Sequence, residues 1–438
     1  MIEFTQRFIK LLLIIFLFAS NLVEAQETNK GFGGSSYSAF GIGMPLDVTS
    51  DNFKAQGLLG VSGIIYEVSA LSNPALWSRL YSTEAYTGLQ LSNFILTKGS
   101  VSETSTNLSS GYLHLLLPIY NGKLGLSAGL YPVTRRSYKT INTTSTTLGT
   151  DQIDYINEVQ GSGGVNKFEI GFGLKLTDNF SFGYAPSIAF IIQENSESFV
   201  FNSTQFASQE QNTKTTGTAF SQRFGITGTF NNIFSSTDRI SLGATLNLPF
   251  SIDTKKDFTT QKRVEGADQT VDLSSLLAVN SGSIDLPLEV SFGLGYAPSI
   301  YVHFATEGVF QKWSEFSNNL DPSDNVFMKD RMKVGFGGQF HPYKRNSNSF
   351  FSRFKYSGGV SYDTGHLTMS GNDINTLWLN TGLGILGRNT VTSSPSIDIS
   401  FQYGFRGTTD NNLIKEKIWT LGFSLNLYER MFVRPKLR

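Results

Sequence analysis

Ser127 lies in Gly125-Leu126-Ser127-Ala128-Gly129, a glycine-x-serine-x-glycine arrangement of the kind that places a nucleophile on a strained strand-to-helix turn. No helical pattern follows it. Leu126 and Ala128 instead belong to a period-two alternation from Leu124 to Leu130, so the serine sits in mid-strand, where a small residue on a wet face needs no catalytic reason. The four histidines, His114, His303, His341 and His366, share no metal-ligand spacing. A Ser-His-Asp hydrolase would have to be assembled in space from separate strands, and nothing in the sequence favours one. The chain has no cysteine, which removes thiol nucleophiles, thiolate metal sites and disulfides together. Gly33-Gly34 and Gly163-Gly164 are followed by neither lysine nor helix, so they do not form a phosphate cradle. Arg135-Arg136 and Lys255-Lys256 fall at strand-to-loop borders and read as solvated rims. The expectation is no enzyme, no cofactor and no metal.

The elements that carry these residues are strands. Alternation recurs at Ile170, Phe172, Leu174 and Leu176, at Leu242, Ala244, Leu246 and Leu248, at Val290, Phe292, Leu294 and Tyr296, and at Ile397, Ile399, Phe401 and Tyr403, with mostly Gly, Ser, Thr or Asn between. The clearest case is Trp419 to Leu427. There Trp419, Leu421, Phe423, Leu425 and Leu427 share one face, and Thr420, Gly422, Ser424 and Asn426 share the other. Its place near the C-terminus, with Thr420-x-Gly422-x-x-Leu425-x-Leu427, resembles the signal that barrel-assembly machinery reads on outer-membrane barrels.

Thirty-five basic and thirty-five acidic residues cancel, leaving no electrostatic footprint for nucleic acid. Arg7 and Lys10 precede the apolar run Leu11 to Ala19 and the small-residue site Val23-Glu24-Ala25, the pattern of a signal peptide cut before Gln26. No later segment approaches the roughly 18 to 20 apolar residues that a spanning helix needs. A membrane chain of this kind crosses by strands closed into a barrel. Turn signals such as Tyr120-Asn121-Gly122 and Thr177-Asp178-Asn179 divide the chain into about fourteen strands between Thr83 and Met431. Polar inserts at residues 140–164, 193–217, 253–282 and 314–330 are expected to be outward-facing loops, alternating with short periplasmic turns.

Residues 26–80 follow no wall pattern. A plug inside the lumen, a periplasmic extension or disorder would fit such a segment, and its apolar content (Leu58, Leu59, Val61, Ile64, Ile65, Val68), which requires burial, argues against disorder. The expected organisation is a signal peptide over 1–25, a hatch over 26–80, an antiparallel transmembrane β-barrel over 81–432 and a basic tail over 433–438. The strand ending at Leu427 should close the barrel against the one beginning near Thr83, and Phe432 should lie at or beyond the periplasmic edge. The class is all-β.

Asn73-Pro74-Ala75, just before the first wall strand, resembles the Asn-Pro-Ala motif of the long-chain fatty acid transporter family of outer membranes, the FadL-like and TodX-like proteins. Leu286-Pro287 followed by Gln311-Lys312-Trp313-Ser314 looks like that family's C-terminal half. A group of uncharacterised outer-membrane barrels of Bacteroidetes-type bacteria is similar over nearly the whole mature chain. Ser36-Tyr37-Ser38-Ala39-Phe40-Gly41-Ile42-Gly43, Gly407-Thr408-Thr409 and Tyr428-Glu429-Arg430-Met431-Phe432-Val433 carry that similarity, with Ala39, Met44 and Met431 departing from the group's usual residues.

The resemblance implies a fourteen-stranded barrel in the outer membrane of a Gram-negative bacterium, embedded among lipid and lipopolysaccharide, with Asn73, Pro74 and Ala75 fixing the hatch to the wall. It implies passive transport of hydrophobic small molecules of the fatty acid or hydrocarbon type. The alternative is a structural or secretion-accessory barrel, like those serving type IX secretion, that binds protein partners. Long loops and a lumen without an apolar pocket would mark that second class.

Overall fold

A strand whose odd residues are apolar and whose even ones are small can bury its backbone in lipid only if every N–H and C=O finds a neighbour, and a closed ring achieves this. The computed structural model, which describes residues 33–64, 71–148, 151–201, 207–264, 267–277, 279–342, 350–387 and 395–429, is such a ring. Fourteen antiparallel strands close it: β1 (Thr83–Lys98), β2 (Val101–Tyr120), β3 (Leu124–Pro132), β4 (Asp151–Lys175), β5 (Phe180–Phe201), β6 (Gln209–Asn231), β7 (Arg239–Asn247), β8 (Glu289–Ser299), β9 (Val302–Gln311), β10 (Arg331–Phe340), β11 (Phe354–Asp363), β12 (Thr376–Leu386), β13 (Ser396–Arg406) and β14 (Lys415–Glu429). Closure is the pairing of β14 with β1, from Thr83 opposite Glu429 to Thr97 opposite Lys415. The described residues contain one α-helical turn, Asp51–Lys54, and no helix long and apolar enough to cross a membrane.

The final strand has the expected polarity. Leu421, Phe423 and Leu427 are exposed on the outer wall, while Gly422, Ser424 and Asn426 are buried against the lumen. The same division holds along β4 and β8, where Ile170, Leu174, Phe292 and Leu294 are exposed. The expected signal peptide, Ile65 and Val68, and Phe432 with the C-terminal tail lie outside the described residues.

The expected outward loops are mostly sheet. Residues 140–148 and 151–164 lie in a hairpin formed by β4 and the segment Thr134–Leu148, which continues β3 beyond a break at Val133. The 193–217 insert belongs largely to the β5–β6 ladder, and Phe250–Val264, continuing β7, pairs with β6. The reason is composition: Thr, Val and Ile suit a pleated backbone even where both faces are wet. Strands β4, β5 and β6 therefore run 25, 22 and 23 residues, against 10 for β9, β10 and β11. A bilayer requires only about 9 to 11 residues of tilted strand, so the excess length of these three neighbouring strands must stand clear of it. The 314–330 insert is a true loop, of 3-10 turns and a two-residue strand.

Candidate functional site

Inside the ring, residues 33–64 and 71–80 fill the lumen. The wall receives them through glycines placed where backbone must come close. A Cβ on Gly243 would stand 1.9 Å from Val61 O, one on Gly335 1.9 Å from Gly57 O, and one on Gly125 2.1 Å from Trp77 O. The small residues alternating with lipid-facing ones are thus a mould for the hatch.

The Asn-Pro-Ala tripeptide sits at the base of this mould. Asn73 is fully buried, and its Oδ1 accepts the Ala75 N–H at 3.0 Å. Its Nδ2 donates to Val61 O at 2.9 Å within the hatch and to Ile226 O at 3.1 Å on β6. Pro74 opens the 3-10 turn Pro74–Arg79, where its missing N–H costs nothing. Ala75 is fully buried against the wall. Arg79 then donates to Gly63 O at 2.7 Å and to Thr229 Oγ1 at 2.5 Å, and Arg223, paired with Glu169, donates to Ser72 O at 2.9 Å.

At mid-height Gln56 Oε1 meets His303 Nε2 at 2.8 Å, and Asn52 Oδ1 accepts from Gln339 at 2.7 Å. Glu307 on β9 turns its carboxylate to the backbone of residues 59–62. Higher up, Asp47 accepts from Arg331 at 3.0 Å and from Lys333 at 2.6 Å, and Arg331 also binds Asp363 at 2.7 Å. Burial would raise the Asp47 pKa, but the Arg331 and Lys333 charges outweigh it and hold the carboxyl well below the usual carboxylate range. Burial pushes His366, in the loop after β11, down to about 3, with Arg331 adding to the effect. At the outer end Ser35 Oγ and the Ser36 N–H donate to Glu416, which also accepts from Arg406 at 3.2 Å.

Arg135 and Arg136 are not the solvated rim their position suggested. Arg136 reaches into the lumen and donates to Gly41 O at 3.0 Å and Ala39 O at 2.8 Å. Met44 and Pro45 pair as a two-residue strand with Arg135 and Thr134, and the Leu46 N–H donates to Val133 O at 2.8 Å, so the hatch is stitched into the wall at the break in β3. Lys255, by contrast, is exposed beside Asp257 and is a rim residue.

A cavity of about 210 Å³ lies between this upper hatch and the wall. Leu46, Val48, Leu58, Leu71, Phe94 and Ile418 give it apolar surface, while Lys54, Arg135, Arg331, Lys333 and Arg406 face it against Asp47 and Asp363. Burial lowers the Lys54 pKa, partly opposed by Asp51.

Ser127 has a partner that its sequence could not show, since His114 Nε2 lies 2.6 Å from its Oγ across β2 and β3. Nδ1 of His114 has no hydrogen-bond partner, and its ring packs on Trp77 and Tyr86. Among the described residues no third group orients this imidazole, and the pair forms a polar contact beside Trp77 of the hatch. His303, His341 and His366 lie apart from it, and the described residues hold no cluster able to bind a metal ion.

The same build occurs in solved outer-membrane channels. A Pseudomonas aeruginosa FadL homologue superposes with a TM-score of 0.55 at 12% identity, covering 88% of this chain and 98% of its own. The Ralstonia pickettii toluene transporter TbuX gives 0.55 at 12% identity over 87% and 99%. The Pseudomonas putida toluene transporter TodX gives 0.54 at 13% over 89% and 100%. At such identities the likeness is one of fold, a plugged barrel of the Gram-negative outer membrane. No curated protein matches the chain. The family described as BamG matches residues 8–438, essentially the whole length, and the chain belongs to the BamG family.

Proposed function

We propose that the barrel admits hydrophobic small molecules of the fatty acid or hydrocarbon type across the outer membrane, without energy input. The cavity carries this reading: apolar side chains on one part of its wall and an excess of cationic groups on another suit a molecule with an oily body and an anionic head. Residues 26–80 act as the gate and 81–432 as the wall, after removal of residues 1–25. Asn73, Pro74 and Ala75 hold the gate's lower end to β6, by the bond from Asn73 to Ile226 O. The fold shared with toluene transporters supports the class of cargo. The test is uptake of labelled fatty acid into liposomes holding the purified protein. Uptake should exceed that of empty vesicles and change when residues 26–80 are deleted. Equality with empty vesicles in both cases refutes transport.

A second reading, an accessory barrel with protein partners, is favoured by the extended ladder of β4 to β6, longer than a bilayer needs, and by membership of a family whose name ties it to barrel-assembly machinery. Such a barrel should co-purify from native membranes with components of that machinery in fixed proportion, and it should lose them when the segments 140–160 and 196–214 are shortened. A free barrel in mild detergent would exclude this role.

A further inference from the structure

We propose that Glu307 is the pin that keeps the lumen sealed, holding the hatch at its depth through an anion-binding loop of the hatch's own backbone. The carboxylate sits on the lumen face of β9 and is buried. Its Oε2 accepts N–H groups from Leu59 at 2.8 Å, Gly60 at 2.5 Å and Val61 at 3.1 Å, and its Oε1 accepts from Ser62 at 2.8 Å. Four successive amides converging on one carboxylate form a nest, in which backbone dipoles alone stabilise an anion. Among the described residues no lysine, arginine or histidine forms an ion pair with Glu307, so the hatch supplies what a cation supplies elsewhere.

The loop is shaped for this. Gly60 has φ of +88° and the flanking Gly57 and Gly63 have +69° and +65°, a left-handed run that side-chain-bearing residues resist. Gly293 on β8 leaves room beside it, since a Cβ there would stand 2.7 Å from Ser62 N and 3.1 Å from Glu307 Cγ. Without the hatch, Glu307 would be a charge facing an empty lumen. Without Glu307, four buried N–H groups would lose their acceptor. Each makes the other's burial tolerable, and the coupling holds whatever the barrel conducts or binds.

The test is Glu307→Gln in the full chain. An amide offers one acceptor oxygen and turns an NH2 group toward N–H donors, so at least one of the four bonds is lost and the nest is opposed. The folded variant, recognised by retention of the compact band of an unheated barrel, should show conductance steps in planar bilayers that the wild type lacks. Trypsin should also cut its hatch after Lys54 about tenfold faster, the opening that loss of one charge-assisted hydrogen bond allows. Glu307→Asp keeps the charge but draws it back by one methylene, and should open less than the glutamine variant. Glu289→Gln is the control, because Glu289 bonds Asn247 and Gln311 on the wall and, among the described residues, no hydrogen bond joins it to the hatch. The pin is refuted if both Glu307 variants are folded, sealed and trypsin-resistant, or if the Glu289 variant opens as far. Failure of both Glu307 variants to form a barrel also refutes it, because the residue then serves the wall.

Discussion

Adding one methyl group to the barrel wall should loosen the hatch where it enters the tight lumen mould and do nothing where it points outward. Gly243→Ala on β7 is the tight case. Its Cβ would lie 1.9 Å from Val61 O and 2.7 Å from Val61 C, against ordinary contact from 3.4 Å, so the hatch backbone must retreat by about 1.5 Å. No flexible side chain can absorb this, since the obstructing atoms are backbone. Overpacking of this kind costs about 1 to 3 kcal/mol. The retreat also breaks the bond from Asn73 Nδ2 to Val61 O, now 2.9 Å, for about 1 kcal/mol more, and it lengthens the contact of Val61 N with Glu307. The expected loss is about 2 to 4 kcal/mol. Gly358→Ala on the outward face of β11 is the control for an added methyl that cannot reach the hatch, because its nearest neighbour is Asn380 O at 3.8 Å and the change should stay within about 0.5 kcal/mol. Guanidinium unfolding in detergent gives the stability difference, and hydrogen exchange of the residue 59–62 amides reports whether the hatch has moved. Two alanine variants with the same midpoint and wild-type exchange at 59–62 would show that the glycines do not shape the hatch seat.

Other perturbations separate the layers of the structure. Arg331→Met leaves Asp47 and Asp363 without their shared cation, a buried pair broken from one side, and should cost about 3 to 5 kcal/mol in the same unfolding assay. Because the Asp47 carboxyl lies below its unfolded value of about 4, its contribution is complete above that pH and disappears as pH falls through its folded value. Pepsin should therefore cut near Asp47 progressively faster as pH falls below about 4, and Asp47→Asn should weaken the hatch more at neutral pH than at pH 2. Phe423→Arg places a charge on the lipid face near mid-wall and should destabilise the inserted barrel by about 2 to 4 kcal/mol, read as reduced assembly into lipid vesicles. Arg135→Gln, which removes a cationic group facing the cavity, should lower uptake of a labelled fatty acid severalfold and leave a neutral hydrocarbon unaffected. Equal loss for both cargoes would refute head-group recognition.

The wall was legible because its physics is local. Lipid on one side and a crowded lumen on the other impose period two on each strand, and Trp419 to Leu427 could be assigned its faces without knowledge of any partner. The closure with Thr83 follows from strand count and antiparallel order. What stayed hidden depends on pairs far apart in sequence. Arg135-Arg136 resembles any basic rim until residues 39 to 45 are brought against it, and Glu307 is one acid among thirty-five until four amides from residues 59–62 turn toward it. The long inserts were misread for a different cause. Their polarity signals water, not loop, and a two-sided wet sheet carries no apolar alternation by which to be recognised. Asn73-Pro74-Ala75 was visible as a motif, but its bond to Ile226 O on a strand 153 residues away was not.

The hatch is bound differently at its two ends, and this limits where movement can occur. From Gln56 to Arg79 it is held by backbone contacts with wall glycines, by Glu307, by Asn73 and by Arg79, so moving it means breaking several buried bonds together while leaving the glycine mould unfilled. From Ser35 to Asp47 the attachments are side-chain pairs at the outer end, Glu416 with Ser35, Arg136 with Gly41 O, and Asp47 with Lys333, together with the short backbone ladder of Met44 and Pro45 on Arg135 and Thr134, beside a cavity that already leaves space. Charged pairs next to a cavity can exchange partners with an entering anion, whereas backbone packed on glycine cannot. Movement that serves the proposed transport or a protein partner should therefore be larger in the upper segment, while the base stays part of the barrel. Cysteines replacing Ser78 and Ser181, whose hydroxyls meet at 2.9 Å, should form a disulfide that leaves function intact, whereas cysteines replacing Ser38 and Ser137 should abolish it on oxidation and restore it on reduction. Loss of function from the lower cross-link would place the moving part in the base and overturn this division.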